Sequence, residues 1–85
     1  MQKYMYSIRD HKSGMLLDCF LDVNNGTAIR KIQDIMNDKN SLFYKHADDF
    51  TVVRVAVWND EEGIVTIENS IPVIECKVLR EAIDG

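Results

Sequence analysis

Arg54 and Trp58 are the residues of this chain whose types and spacing best suit binding chemistry. They lie four positions apart in a run that alternates like a strand, so both are expected on one face of a sheet. Single-stranded nucleic acid is held by bases that stack on aromatic side chains beside cations that contact phosphates. Together with Phe20 and Lys77, this pair predicts a stacking surface.

A structural role is the alternative interpretation of the same pair. A tryptophan near a strand end often completes a core or an interface, and an arginine pairs with an acid across the sheet, here Glu75 or Asp18. Under this interpretation the surface binds a protein or nothing.

A second and more dispersed group of cations is a weaker candidate for phosphate contact. It consists of Arg30 and Lys31 at the helix start with Arg9 and Lys12, and also Lys3, at the amino end. Charges separated in this way usually serve solubility, so this group is secondary.

Catalysis and metal binding find little support. The atom types of a zinc site are present in His11, Cys19, His46 and Cys76, but without the paired spacing of zinc ligands. Both cysteines lie at inward strand positions, where we expect small buried thiols. No nucleophile elbow is present, and the acidic runs 48–49 and 60–62 lack the spacing of a calcium loop. We therefore expect no enzyme activity, no metal and no cofactor.

The element that must position the candidate site is a β-hairpin over residues 50–66. The sequence FTVVRVAVWNDEEGIVT has two alternating runs around an acidic turn that ends in glycine. Strict alternation assigns Val53, Val55 and Val57 to one face and Val52, Arg54, Ala56 and Trp58 to the other.

The remaining elements follow from periodicity and turn residues. Strands are predicted at 3–9 and 15–23, an amphipathic helix between 24 and 40, and a loop at 41–49. A turn at 69–70 precedes a further strand at 73–79, and a helical turn at 79–83 stays open. The chain is therefore expected to form a single α+β domain over residues 1–85, with a mainly antiparallel sheet of about five strands in the order β-β-α-β-β-β.

One amphipathic helix can cover only one face of such a sheet. The uncovered face is predicted to carry Leu16, Phe20, Val52, Arg54, Ala56, Trp58, Val73, Lys77 and Leu79. A surface this apolar favours a partner, and a homodimer is the simplest one.

Composition excludes some function classes. Ten basic against fourteen acidic residues give a net charge of −4, which opposes avid, sequence-blind attraction to phosphates. The chain shows no apolar segment that could act as a leader or a membrane span, so we expect no membrane contact and a cytoplasmic location. No motif for a small-molecule substrate or a nucleotide is present.

Four segments carry a family likeness. They are YSIRD near the start, NNGTAIRKIQDIMND, HADDFTVVRVAVWNDEEGIV and the late IPVIECKV. Together they resemble the small nonstructural protein of gokushoviruses, the tailless single-stranded DNA phages of the Microviridae. The likeness covers nearly the whole chain in the same order, with a TAIR helix start, then H-x-x-D-[FY] and an N/D-D-E-x-G turn.

The resemblance implies a role rather than a site. Members of that family are described as nonstructural or DNA-binding proteins tied to single-stranded DNA synthesis or the shift from replication to packaging. It implies an accessory protein in the host bacterial cytoplasm that binds single-stranded DNA weakly, or binds viral replication or packaging proteins. The alternative is a protein interaction module that makes no contact with nucleic acid. Such a module would form a homodimer or bind a host or viral partner.

Overall fold

A long antiparallel hairpin organises the sheet. In the computed structural model, which describes residues 1–85, β4 (Phe50–Asn59) and β5 (Ile64–Glu75) flank the turn at residues 60–63. Gly63 has a φ of 68°, which costs glycine nothing, and the Asn59 side chain accepts two amide hydrogen bonds from the turn. The predicted hairpin is confirmed.

The other strands add to the hairpin on one side. β1 (Gln2–Asp10) pairs with β4, and its outer edge pairs with β2 (Met15–Leu16) and β3 (Phe20–Asp22). The strand order is β2-β1-β4-β5, all neighbours are antiparallel, and β3 also pairs with β1. The predicted α+β class with a mainly antiparallel sheet is confirmed. The strand predicted at 15–23 is present as two short pieces, separated at residues 17–19.

The first helix forms where the sequence places it. α1 (Asn25–Met36) begins after Asn24, whose side chain accepts a hydrogen bond from the Thr27 amide at 2.9 Å. This contact satisfies one of the unpaired amides at the helix start. The segment predicted as a loop at 41–49 instead contains the short helix α2 (Leu42–Lys45) and a 3-10 turn.

The carboxyl-terminal part of the chain differs from the expectation. β5 continues through the predicted turn at 69–70, where Ser70 takes a positive φ of 49°, and the predicted strand at 73–79 is wrong beyond Glu75. α3 (Cys76–Asp84) follows instead. Cys76 and Leu79 bury on the core, and Ile83 packs against it, at spacings of three and four residues that suit a helix.

All helices pack on the same face of the sheet. That face carries Ile8 and Val52, which are cross-strand partners and nearly fully buried. The core cluster consists of Ile8, Ile32, Met36, Ala47, Phe50, Val52, Cys76 and Leu79. No side chain from the opposite face belongs to this cluster, so the sheet keeps one face free of helices.

Candidate functional site

A β-bulge separates Arg54 from Trp58. Along the β1 and β4 pair, Tyr6 lies opposite Arg54 but Met5 lies opposite Ala56, which leaves Val55 as an extra residue in β4. Side chains of paired residues point to the same face. Arg54 therefore lies on the helix-covered face with Tyr6, whereas Trp58 lies on the free face.

The prediction that Arg54 and Trp58 share a face is wrong for this reason. Strict alternation fails after the bulge, so Val57 exchanges sides with Ala56 and Trp58. Of the residues expected on the uncovered face, Val52 and Leu79 are in the core and Phe20 and Val73 pack against it. Leu16, Ala56 and Trp58 do lie on the free face.

Arg54 is engaged within its own chain. Its Nε and Nη2 donate to Oε1 and Oε2 of Glu68 at 2.7 and 2.9 Å, and its guanidinium lies 4.6 Å from the centre of the Tyr4 ring. Glu68 therefore replaces the partners predicted from sequence, Glu75 and Asp18. These hydrogen bonds raise the pKa of Arg54. Because the guanidinium is paired with Glu68 on one side and stacked on the Tyr4 ring on the other, few of its donors remain free to bind a phosphate.

Phe20 belongs to an aromatic and acidic cluster beside the start of α1. Its ring stacks on Tyr6 at 5.6 Å, and the Lys31 ammonium lies 5.6 Å from the ring centre. Lys31 also lies 3.2 Å from an oxygen of Asp22. The cluster holds β3 against α1, since Lys31 of α1 contacts both Asp22 and Phe20 of β3. Tyr6 adds a contact from β1 to α1, because its hydroxyl donates a hydrogen bond to the Asn25 side chain at 2.7 Å.

Asp22 is the ionised centre of that cluster. Burial raises the pKa of Asp22. Hydrogen bonds from the Thr27 hydroxyl and the Val23 amide, together with the Lys31 ammonium, lower it, and their combined effect outweighs that of burial. The pKa of Asp22 is therefore below the usual value of 3.8. Its carboxylate therefore stabilises the helix start in its charged form.

The other predicted cations are dispersed. Lys77 lies on α3 rather than on a strand, 3.7 Å from the Glu75 carboxylate. Arg30 and Lys12 are exposed. Arg9 is half-buried on β1, and its register opposite Thr51 places it on the free face. The structure does not gather either predicted cation set around Trp58, although Lys3 and Arg9 of the second set share its face of the sheet.

We call the helix-free surface the open face. Its larger members are Lys3, Met5, Arg9, Leu16, Leu21, Trp58, Val65 and Ile67, assigned by cross-strand register. Small, buried side chains lie between them, Ser7, Val53 and Ala56. Lys3 is directly opposite Trp58 on the one side, and Val65 is opposite it on the other.

Sequence reasoning missed Lys3 and Ile67 as members of this surface. Lys3 joins Trp58 through pairing between strands more than fifty residues apart, and Ile67 depends on the register beyond the Val55 bulge. No local sequence signal gives either register. Trp58 itself was predicted on the uncovered face, and this is confirmed.

The candidate zinc ligands of the sequence lie in different surroundings in the structure. Cys76 is fully buried, as predicted, and burial raises the pKa of its thiol to about 11. Cys19 is exposed, so the prediction that it is buried is wrong. His11 Nε2 lies 2.8 Å from the Thr51 hydroxyl. No group of three or more His, Cys, Asp or Glu side chains is placed to hold a metal ion.

A shallow apolar cleft of about 520 Å³ lies at the edge of the sheet, where residues 16–20 meet α1 and α2. Its lining consists of Ile8, Leu16, Leu17, Asp18, Phe20, Ile32 and Phe43. Asp18 is its one charged residue. Such a lining offers shape and apolar contact but no convergent polar groups that would orient a substrate.

Comparison with known proteins gives a match to a protein family. No curated protein and no solved structure matches the sequence. None of the helices is long and apolar enough to cross a membrane. A family profile described as Phage ORF5 protein matches residues 3–80, which is nearly the whole chain and covers all five strands except the first residue of β1. The chain belongs to the Phage ORF5 protein family.

Proposed function

We propose that this phage accessory protein binds single-stranded DNA weakly through the open face, in genome synthesis or packaging. The observation that carries the proposal is the position of Trp58, half-buried on a helix-free surface directly opposite Lys3. An aromatic ring beside a cation is the unit by which proteins stack a base and contact its phosphate. Arg9 lies on the same face further along β1.

The charge of the open face differs from that of the whole chain. By register it carries Lys3 and Arg9 against one acid, Glu75, which is itself near Lys77. The net charge of −4 therefore resides mainly elsewhere. Asp60 lies 3.7 Å from Lys3 and competes with a phosphate for it. Few phosphates can be neutralised, so binding should be weak and only moderately salt-dependent.

Fluorescence anisotropy of a labelled single-stranded oligonucleotide tests the proposal. Trp58→Ala should weaken binding by about 5- to 150-fold, equivalent to about 1–3 kcal/mol for one lost base stack. Lys3→Gln should lower the slope of log affinity against log salt by about 0.7, the value for one phosphate contact on a single strand.

A matched control is Lys45→Gln, an exposed lysine on α2 at the helix side of the sheet. It should leave affinity and salt slope unchanged. Equal effects of the two lysine substitutions would show that any binding is diffuse. No binding by folded protein at low salt would reject the DNA role.

A second function is supported by the aliphatic part of the open face. Val65 is 49% exposed and Ile67 is 83% exposed, and neither side chain can stack a base. Exposed aliphatic groups of this kind favour a protein partner in viral replication or packaging, or in the host. This function predicts that Ile67→Ser abolishes binding to that partner while the oligonucleotide is not bound by any variant.

A further inference from the structure

β5 is an edge strand, and its first part is unusually exposed. In the order β2-β1-β4-β5 it has a neighbour on one side only, so its outer amides and carbonyls lack strand partners. Ile64, Val65 and Ile67 are 50%, 49% and 83% exposed, although they alternate between the two faces of the sheet. Both faces and the edge of this segment are therefore open together.

The exposed segment lacks the features that normally protect an edge. Proteins guard edge strands with charges, prolines, bulges or short length. Residues 68–72 of β5 have such protection, with Glu68, a register shift around Ser70, and Pro72. Residues 64–67, which read IVTI, have none. The opposite edge of the sheet is protected because β2 and β3 contain only two and three residues.

Charge favours one of the two directions in which a second copy of the chain could pair with this edge. No charged residue lies between Glu62 and Glu68, and Glu68 is already neutralised by Arg54. The acidic turn at residues 60–62 lies at one end of the segment. Parallel pairing of two copies would place both acidic turns side by side. Antiparallel pairing centred on Thr66 would separate them by about 30 Å, well beyond the Debye length of about 8 Å at physiological salt.

We propose that a second copy of this chain covers the edge by antiparallel pairing of β5 with β5 of the partner, with Thr66 at the two-fold axis. Val65 then lies opposite Ile67 of the partner subunit on the open face, so the aliphatic part of that face is continuous across both copies. Thr66 lies opposite the partner's Thr66 on the helix side. Only five or so residues pair from each copy, so the dimer is weak and concentration-dependent.

The proposal does not depend on nucleic-acid binding, and its test uses a residue on the other side of the sheet from Trp58. Register places Thr66 opposite Val57, which points to the helix side, and Thr66 is exposed. Thr66→Lys and Thr66→Glu should each bring like charges together at the axis and give monomers in analytical ultracentrifugation. An equimolar mixture of the two variants should restore the dimer, because lysine then lies opposite glutamate.

The mixture also separates interface loss from unfolding, because an unfolded variant could not recover a dimer when mixed. Val78→Lys is the matched control, since Val78 is an exposed aliphatic residue on α3 and should leave the dimer intact. Wild-type protein that stays monomeric at millimolar concentration would overturn the proposal. So would dimers that persist in both single variants, or failure of the mixture to restore the dimer.

Discussion

The Arg54 and Glu68 pair is expected to stabilise the hairpin by an amount that its burial determines. The two hydrogen bonds are bidentate, and the side chains are only 24% and 18% exposed. Fully exposed pairs contribute about 0.2–1 kcal/mol, and breaking a fully buried pair costs about 3–5 kcal/mol. The partial burial here places the expected coupling between these limits, at about 1–2 kcal/mol.

A double-mutant cycle measures this coupling. Arg54→Ala, Glu68→Ala and the double variant are compared with the wild type by urea unfolding, followed by circular dichroism. The stacking of Arg54 on Tyr4 is lost in both variants that lack arginine, so it cancels from the coupling energy.

A second ion pair in the same chain supplies the control. Arg80 lies 3.1 Å from Asp48, but through one contact and with an acid that is 70% exposed. Its coupling energy should stay within the range of exposed pairs, below about 1 kcal/mol, and below that of the Arg54 and Glu68 pair. If the two cycles give equal coupling, burial and bidentate geometry do not account for the role of Arg54, and the reasoning fails.

Three further outcomes are expected. Asp22 has a lowered pKa, so its stabilisation exists above the unfolded value and disappears as pH falls through the folded one; Asp22→Asn should cost about 1 kcal/mol near neutral pH and progressively less as pH falls through the folded pKa of Asp22, by urea unfolding. In native protein, exposed Cys19 should react with a chromogenic disulfide reagent while buried Cys76, with its raised pKa, reacts only on unfolding; equal rates would contradict this burial. Met36→Ala removes a fully buried side chain and should cost about 2–5 kcal/mol, against less than about 0.5 kcal/mol for Val78→Ala, in thermal or urea unfolding.

Local sequence signals correctly predict two elements, the β4–β5 hairpin and α1. The hairpin follows from turn residues that act within a few positions, and α1 follows from the Asn24 cap and a helical apolar stripe. Both depend on neighbours in sequence. The α+β class could therefore be predicted without the structure. Trp58 was placed on the correct face because two errors cancelled: Val52 was assigned to the uncovered face, and the Val55 bulge was not foreseen.

The errors arise where contacts distant in sequence decide the outcome. Residues 73–79 fit strand alternation and also place Cys76 and Leu79 three residues apart, and docking against the core selects the helix. The Val55 bulge is a property of strand pairing, so alternation alone cannot show that Arg54 and Trp58 lie on opposite faces. The cation beside Trp58 was missed for the same reason, because Lys3 reaches it through β1.

The Val55 bulge also makes the length of β4 less critical at this point than it would be in a regular strand. Val55 has no residue opposite it in β1, so its removal would leave Tyr6 opposite Arg54 and Met5 opposite Ala56. Regular alternation would then keep Val57 toward the helix layer and Trp58 on the open face. In this family we therefore expect the loss of one residue at this position to be tolerated, since the side of the sheet that the distal hairpin presents stays the same.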